Sequence, residues 1–399
     1  MDPVTNPYAP GAGSPPPELA GRSAILGSAS IHLQRLIHGR SSKSVILVGL
    51  RGVGKTVLLD RIRKNAEQLG IRTLRVEAPE ASSLPALLAP GLRIALFSLS
   101  RKDAAKDLAI RAFKALAGFV TKLKVSFNDI DVALDYPPEP GLADNGDLEA
   151  DLATLLMQCG RAAQADNSAI AIFIDELQYV PEAQLAALIS ALHHCAQEQL
   201  PVTLVGAGLP QLRGRLGEAK SYAERLFSFT EIGPLKPGDA ADAIVRPAQS
   251  EGVSIDQDAV DLIIQQTGCY PYFLQEWGKH TWDLARQSPI RKSDVESASS
   301  MAIVTLDESF FRVRFDRLTP AEKRYLRAMA DLGPGPHRSS DISQRLGREV
   351  TSLGPTRASL IKKGMIWPPT HGDTAFTVPL FDAFMKRVMP GDDWKPVAS

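Results

Sequence analysis

The sequence predicts an α/β protein in which a parallel sheet is flanked by helices and followed by a helical lid and a small C-terminal unit. Short apolar runs at 44–48, 71–78, 169–174 and 202–206 alternate with longer helical patterns. That order builds a parallel sheet covered on both faces. After Pro234 the strand pattern stops, and helical patterns fill 237–250, 257–267, 272–286 and 292–308. From about Ser309 the pattern changes again, to a compact α/β unit.

Residues 1–19 are rich in Pro, Gly, Ala and Ser, including Pro15-Pro16-Pro17, and read as an extended arm. Gly21-Arg22 precedes a helix reaching about Ile37. The strand at 44–48 leads into a helix at 56–69 that Gly70 ends. The stretch 84–120 reads mainly as helix, interrupted at Pro90-Gly91. Residues 124–134 alternate around Asn128-Asp129 as a candidate β-hairpin. A turn-rich stretch at 136–146 precedes helices at 147–165 and 181–199, and 228–232 reads as a fifth strand. The resulting division is an arm at 1–19, a core at 20–235 with an insert at about 84–146, a lid at 236–308 and a terminal unit at 309–390.

The 399 residues are 44% hydrophobic and 23% charged, as in ordinary globular chains. The 45 basic and 45 acidic side chains cancel, so global charge selects no partner. Cys159, Cys195 and Cys269 lie far apart with no CxxC pair, which argues against a disulfide framework and for a reducing compartment. The longest apolar run, 169–174, is about a third of a membrane span. Met1-Asp2-Pro3 opens no basic-then-apolar signal pattern. A cytoplasmic protein with no membrane partner is expected.

Gly49-Leu50-Arg51-Gly52-Val53-Gly54-Lys55-Thr56 satisfies GxxxxGK[ST] between an apolar strand and a helix that begins around Val57. Glycines allow the loop to wrap phosphate with backbone N–H groups. The helix N-terminus adds partial positive charge. Lys55 is expected on the β- and γ-phosphates of ATP, and Thr56 on Mg²⁺. Residues 169–174 then deliver Asp175-Glu176 at the carboxyl end of a buried strand. Asp175 is expected to hold Mg²⁺, directly or through water, and Glu176 to act as general base on the attacking water. Arg225, just before the fifth strand, is placed either as a finger reaching a neighbouring subunit's γ-phosphate or as an ordinary salt-bridge arginine.

Together these residues resemble the AAA+ P-loop ATPases of the Orc/Cdc-type and archaeal-type group, with ExeA-like and transposition-regulator ATPases as relatives. Asn6-Pro7-Tyr8 through Leu19-Ala20-Gly21-Arg22 resembles that group's opening, and Asp175-Glu176-Leu177-Gln178 its "DEAQ" segment. The resemblance implies that Arg22 lies near the adenine. Many such proteins carry a polar sensor after the fourth strand, where this chain has Gly206-Ala207-Gly208. Sensing is thus left to backbone groups or to a residue such as Thr203 or Gln178. The lid segment Gly268-Cys269-Tyr270-Pro271-Tyr272 has no arginine at the second sensor position and is similar to the "GxP" lid of STAND-type signalling ATPases.

Residues 309–390 hold 14 Lys/Arg and 7 Asp/Glu. Thr319, Pro320 and Glu322 open a capped helix, Ser340 to Leu346 forms a second, and 355–363 a third after a loop at 351–354. Strands at 365–367 and 374–378 complete a winged-helix order. On duplex DNA the third helix would enter the major groove, with Ser352, Thr356, Arg357, Lys362 and Lys363 facing phosphate or bases and His371 at the wing tip. Winged helices also dock proteins. The expected function is an ATP-hydrolysing machine that couples nucleotide state to homo-oligomer assembly and DNA binding. The alternative is a STAND-like signalling switch whose winged helix docks a protein partner.

Overall fold

Five parallel strands form the central sheet: β1 (Ser44–Val48), β2 (Arg72–Glu77), β3 (Ile170–Asp175), β4 (Val202–Gly208) and β5 (Phe227–Glu231), in the order β2-β3-β4-β1-β5. The computed structural model describes residues 1–11, 13, 16–79, 83–123, 136–391 and 394, and the hairpin expected at 124–134 lies outside them. β1, β3 and β4 are buried at every residue, as central parallel strands covered on both faces must be. Of the edge strands, β2 alternates between buried and exposed residues toward its end, while in β5 only Phe227 is buried. The register sets Glu77 opposite Asp175 and Ile174 opposite Gly206, so the polar end of β3 emerges at the carboxyl edge.

Helices α1 (Ser23–Ile37), α2 (Lys55–Gln68), α3 (Leu84–Ser100), α4 (Lys106–Lys122), α5 (Leu148–Ala165) and α6 (Glu182–Gln197) accompany this sheet, with the shorter α7 (Leu212–Ala219) and α8 (Ala223–Leu226) before β5. Pro90-Gly91 does not interrupt α3, as the sequence suggests it should. Leu84, Leu88, Leu92, Leu96 and Leu99 form one buried stripe, and that burial outweighs the single backbone bond a proline forfeits. Gly91 is needed for packing, because a Cβ there would lie 3.0 Å from Leu74 on β2. The break falls after Ser100 instead.

The chain divides into two compact units. One holds Arg22–Gly49 and Lys55–Ile232, the other Met1–Gly21, Leu50–Gly54 and Gly233–Ser399. The second unit contains the lid helices α9 (Pro237–Ser250), α10 (Gln257–Thr267), α11 (Pro271–Leu284) and α12 (Lys292–Thr305). The N-terminal arm docks onto them. Tyr8 is buried with its hydroxyl donating to the Ile244 carbonyl, and Asn6 Nδ2 donates to the Lys279 carbonyl at 3.1 Å and to Asp283 Oδ1 at 2.7 Å. Gly278 makes room for the Tyr8 ring, which would come within 2.6 Å of a Cβ there.

A π-helical turn, Leu306–Phe311, leads into α13 (Arg312–Asp316) and the C-terminal elements α14 (Pro320–Leu332), β6 (His337–Arg338), α15 (Ser339–Leu346), α16 (Val350–Lys362), β7 (Ile366–Trp367), β8 (Asp373–Phe376) and α17 (Phe381–Val388). The Thr319 and Glu322 capping box forms as expected. Two features differ from expectation. A third strand, β6, joins the sheet in the antiparallel order β6-β8-β7, and α16 starts one turn before Pro355. Leu353 and Leu360 are both buried and two turns apart, so helix through residue 353 is required to bring both inward. An aromatic run joins lid and terminal elements: Tyr272 stacks on Phe310 at 4.7 Å, Phe310 meets Phe311 at 5.3 Å, and Phe311 meets Phe384 at 5.2 Å.

Cys159 and Cys195 are wholly buried, and burial pushes both thiols up, Cys195 to about 12. Cys269 is partly exposed, in left-handed backbone at φ 61°. Among the described residues no helix is long and apolar enough to cross a membrane.

Candidate functional site

Asp175 ends β3 as a buried carboxylate, 8% exposed. Burial raises its carboxyl above the ordinary range, opposed by two hydrogen bonds: Thr56 Oγ1 donates to Oδ2 at 2.6 Å, and the Glu176 N–H to Oδ1 at 2.8 Å. Thr56 can reach because α2 begins at Lys55, which brings its first turn against the end of β3. Lys55 is itself buried, with Nζ donating to the Gly49 carbonyl at 2.9 Å. Two oxygens suited to a hard divalent cation and a buried ammonium therefore occupy the sheet's carboxyl edge.

The loop between Gly49 and Lys55 takes the conformation its glycines permit, with φ 81° at Gly52 and 88° at Gly54. Its apex is held within the second unit. The Tyr272 N–H donates to the Gly52 carbonyl at 3.2 Å, and the Arg51 N–H to the Thr377 carbonyl at 3.1 Å. Val53 is buried, while Leu50 and Val57 are half-buried. Beside Tyr272 the lid carries a buried acid, Glu276, which accepts from the Tyr272 hydroxyl at 3.0 Å and is raised mainly by burial.

Glu176 follows Asp175 in left-handed backbone, φ 51° and ψ 36°, a conformation that costs a non-glycine residue about 1–3 kcal/mol. The turn Leu177–Tyr179 that follows is fixed by Arg215, which donates to the Gln178 carbonyl and, at 3.0 Å, to that of Val180. Gln178 is buried, and its side chain reaches both Glu176 and the end of β4. Sequence reasoning offered Gln178 as one of several sensors but missed Arg215. The available signal was the pair Gly206 and Gly208, where added Cβ atoms would meet Leu177 at 2.9 Å and Gln178 at 2.6 Å. Thr203 lies elsewhere, at the amino end of β4 beside Ser44 Oγ at 3.3 Å.

The remaining candidates are dispersed. Arg22 is the N-cap residue of α1, and Arg225 sits exposed on α8. On α16, Lys362 and Ser352 are exposed and Thr356 is half-buried. Arg357 is tied to β8 instead, with Nε donating to Thr374 Oγ1 at 3.0 Å and Nη2 to the Asp373 carbonyl at 2.9 Å. Lys363 donates to the buried Glu322 at 2.7 Å. His371 is exposed, as are Arg338, Arg345 and Arg348 near α15, which the sequence reading did not single out.

The AAA ATPase domain family matches residues 18–205, a span that contains the loop, Asp175 and Glu176. Residues 18–205 are an AAA ATPase domain. The fold agrees: the Walker-type ATPase paby2304 of Pyrococcus abyssi superposes with a TM-score of 0.59 at 14% identity, covering 92% of this chain and 96% of that one. Lower scores relate the chain to Aeropyrum pernix Orc1 in complex with DNA (0.45, 16% identity, 93% and 94% covered). The Thermotoga maritima RuvB Holliday junction branch migration motor is similar at 0.46, with 17% identity and 91% and 96% covered. Residues 308–385 match a domain of unknown function (DUF8462). No curated protein matches the chain.

The fate of Lys363 gives a pH test. Burial alone would raise the Glu322 carboxyl, but hydrogen bonds from Lys363, Ser359 and Thr319 outweigh it and hold it at about 2. A depressed acid stabilises the fold above its unfolded value of 4.5, and that stability is lost as pH falls toward 2. Lys363→Met should destabilise the protein at neutral pH by on the order of 2 kcal/mol. It should also flatten the loss of stability between about pH 5 and about pH 3. Urea unfolding at both pH values checks this, and parallel curves for parent and variant would show that Lys363 does not hold the carboxylate.

Proposed function

We propose that the AAA ATPase domain binds ATP with Mg²⁺ and hydrolyses it, and that nucleotide state governs assembly and the use of a C-terminal winged helix on duplex DNA. The observation that carries the hydrolytic part is the meeting of Thr56 Oγ1 and Asp175 Oδ2 at 2.6 Å, with Lys55 buried at the same helix start. In this reading Lys55 exchanges the Gly49 carbonyl for the β- and γ-phosphates, and the loop's N–H groups and the start of α2 supply the remaining positive potential. Thr56 and Asp175 orient the cation, which offsets phosphate charge when bound. Glu176 takes the proton of the attacking water.

The winged-helix reading rests on the order α14, β6, α15, α16, β7, β8 and on the excess of 14 basic over 7 acidic side chains at 309–390. Since Arg357 and Lys363 bond within the unit, the DNA-facing cations in this reading are Lys362, Arg348 and Arg338, with Ser352 and Thr356 beside them. Arg357 then acts by fixing the wing. Arg225, exposed on its short helix, serves an assembled neighbour. A second reading, the signalling switch with a protein partner, is favoured by one contact. The Arg51 N–H is bonded to the Thr377 carbonyl, so the loop apex is engaged by the terminal elements.

Isothermal calorimetry should show Lys55→Ala weakening ATP binding by roughly 100-fold, about 2.7 kcal/mol. Glu176→Gln should keep ATP affinity and lose about 10²–10⁴-fold in turnover. Unchanged affinity in the first variant or parent-rate hydrolysis in the second removes the assigned role.

Assembly is tested by light scattering with and without ATP. Mass should rise with nucleotide, and Arg225→Ala should lose turnover while retaining ATP affinity. A protein that stays monomeric in ATP counts against the finger.

Fluorescence anisotropy with labelled duplex should show affinity falling steeply with salt as counterions are released. Lys362→Ala should make the salt slope shallower by about 1. No binding at low salt, with or without ATP, would transfer the terminal unit to protein docking.

A further inference from the structure

We propose that Gln178 is the positioning residue for Glu176, and that it fills the role of the polar residue missing from the end of β4. The inference deepens the hydrolytic reading above and rests on it. Gln178 is 4% exposed, and its two amide atoms bond in opposite directions. Nε2 donates to Glu176 Oε2, while Oε1 accepts the Leu209 N–H at 3.1 Å. A buried amide that donates and accepts at once is fixed in orientation, because exchanging its nitrogen and oxygen would oppose like atoms in both bonds. The carboxylate oxygen of Glu176 therefore takes its place from the backbone just after β4.

Three further features support the same arrangement. The Gln178 backbone is itself held, its carbonyl accepting from Arg215, so the side chain starts from a fixed point. Gly208 leaves the space that the amide occupies, since a Cβ there would lie 2.6 Å from Gln178 Oε1. Glu176 stands in left-handed backbone at the head of the turn that carries Gln178, two residues on. The apolar, glycine-rich end of β4 is thereby explained: the polar group comes from the neighbouring turn and uses the vacated volume.

The mutational test compares packing with hydrogen bonding. Gln178→Met keeps length and burial and removes both bonds. It should reduce turnover by about 10²-fold, the scale of a displaced general base. ATP affinity by calorimetry should remain within about twofold, a difference of less than 0.5 kcal/mol. Gly208→Ala should give a similar fall, because the nearest atom its methyl meets is the end of a flexible side chain, which moves while the fold persists. The double variant should be no slower than Gln178→Met alone, since the methyl then has no amide to displace. Circular dichroism melts identify any variant that is simply unfolded, and Gln178→Glu, which preserves size and the Leu209 acceptor but not the donor, serves in its place. Parent-rate or faster hydrolysis in the folded Gln178 variant overturns the proposal alone, as do additive losses in the double variant. A parent that binds ATP and never turns it over overturns the hydrolytic reading and this proposal with it.

Discussion

Burying the Asp175 carboxylate is the constraint on which the nucleotide-binding core is arranged. A charge at the end of a strand with no exposed residue must be met by nearby donors or a cation. The chain meets it with a hydroxyl from the first turn of α2 and the N–H of Glu176. The first donor requires α2 to begin against β3, which forces the preceding loop into the tight path that Gly52 and Gly54 allow. The second requires the backbone to turn immediately after Asp175, and this puts Glu176 in left-handed geometry. Loop, helix start and catalytic candidate are thus consequences of one buried group.

Much of this was legible beforehand because the motif and its flanks are local. Eight consecutive residues specify the loop, and an apolar strand ending in two acids specifies its partner. The full strand order was not legible, since crossovers β1 to β2 and β4 to β5 are decided by which edges remain available. Long-range bonds hid the roles of Arg357 and Lys363. Their partners Thr374 and Glu322 lie 17 and 41 residues away, and a basic helix reads the same whether its cations face solvent or a buried acid. Two-residue β6 is too short to show alternation, and the start of α16 was masked by the ordinary meaning of Pro355.

The second unit has a different organising principle. Aromatic rings join its lid and terminal elements, from Tyr272 through Phe310 and Phe311 to Phe384. Edge-to-face and stacked rings add about 0.5–1.5 kcal/mol per pair beyond the area they bury. Phe310 and Phe311 close the π-helical turn at Leu306–Phe311; both rings meet Phe273, and Phe311 continues to Phe381 and Phe384. The polar bonds of Trp277 to Gln266 and Ser299, at 2.6 and 3.2 Å, anchor the lid end of the same body.

The three cysteines differ sharply in access, and this has a practical side. Alkylation proceeds through thiolate; burial raises all three thiols, and Cys159 and Cys195 are in addition sealed from solvent. Cys269 is partly exposed and only two residues from Pro271, where α11 begins. A maleimide dye or nitroxide added to the unaltered chain should therefore attach at one place. Spectroscopy could follow the Gly268-Cys269-Tyr270-Pro271 segment without any cysteine having to be introduced or removed.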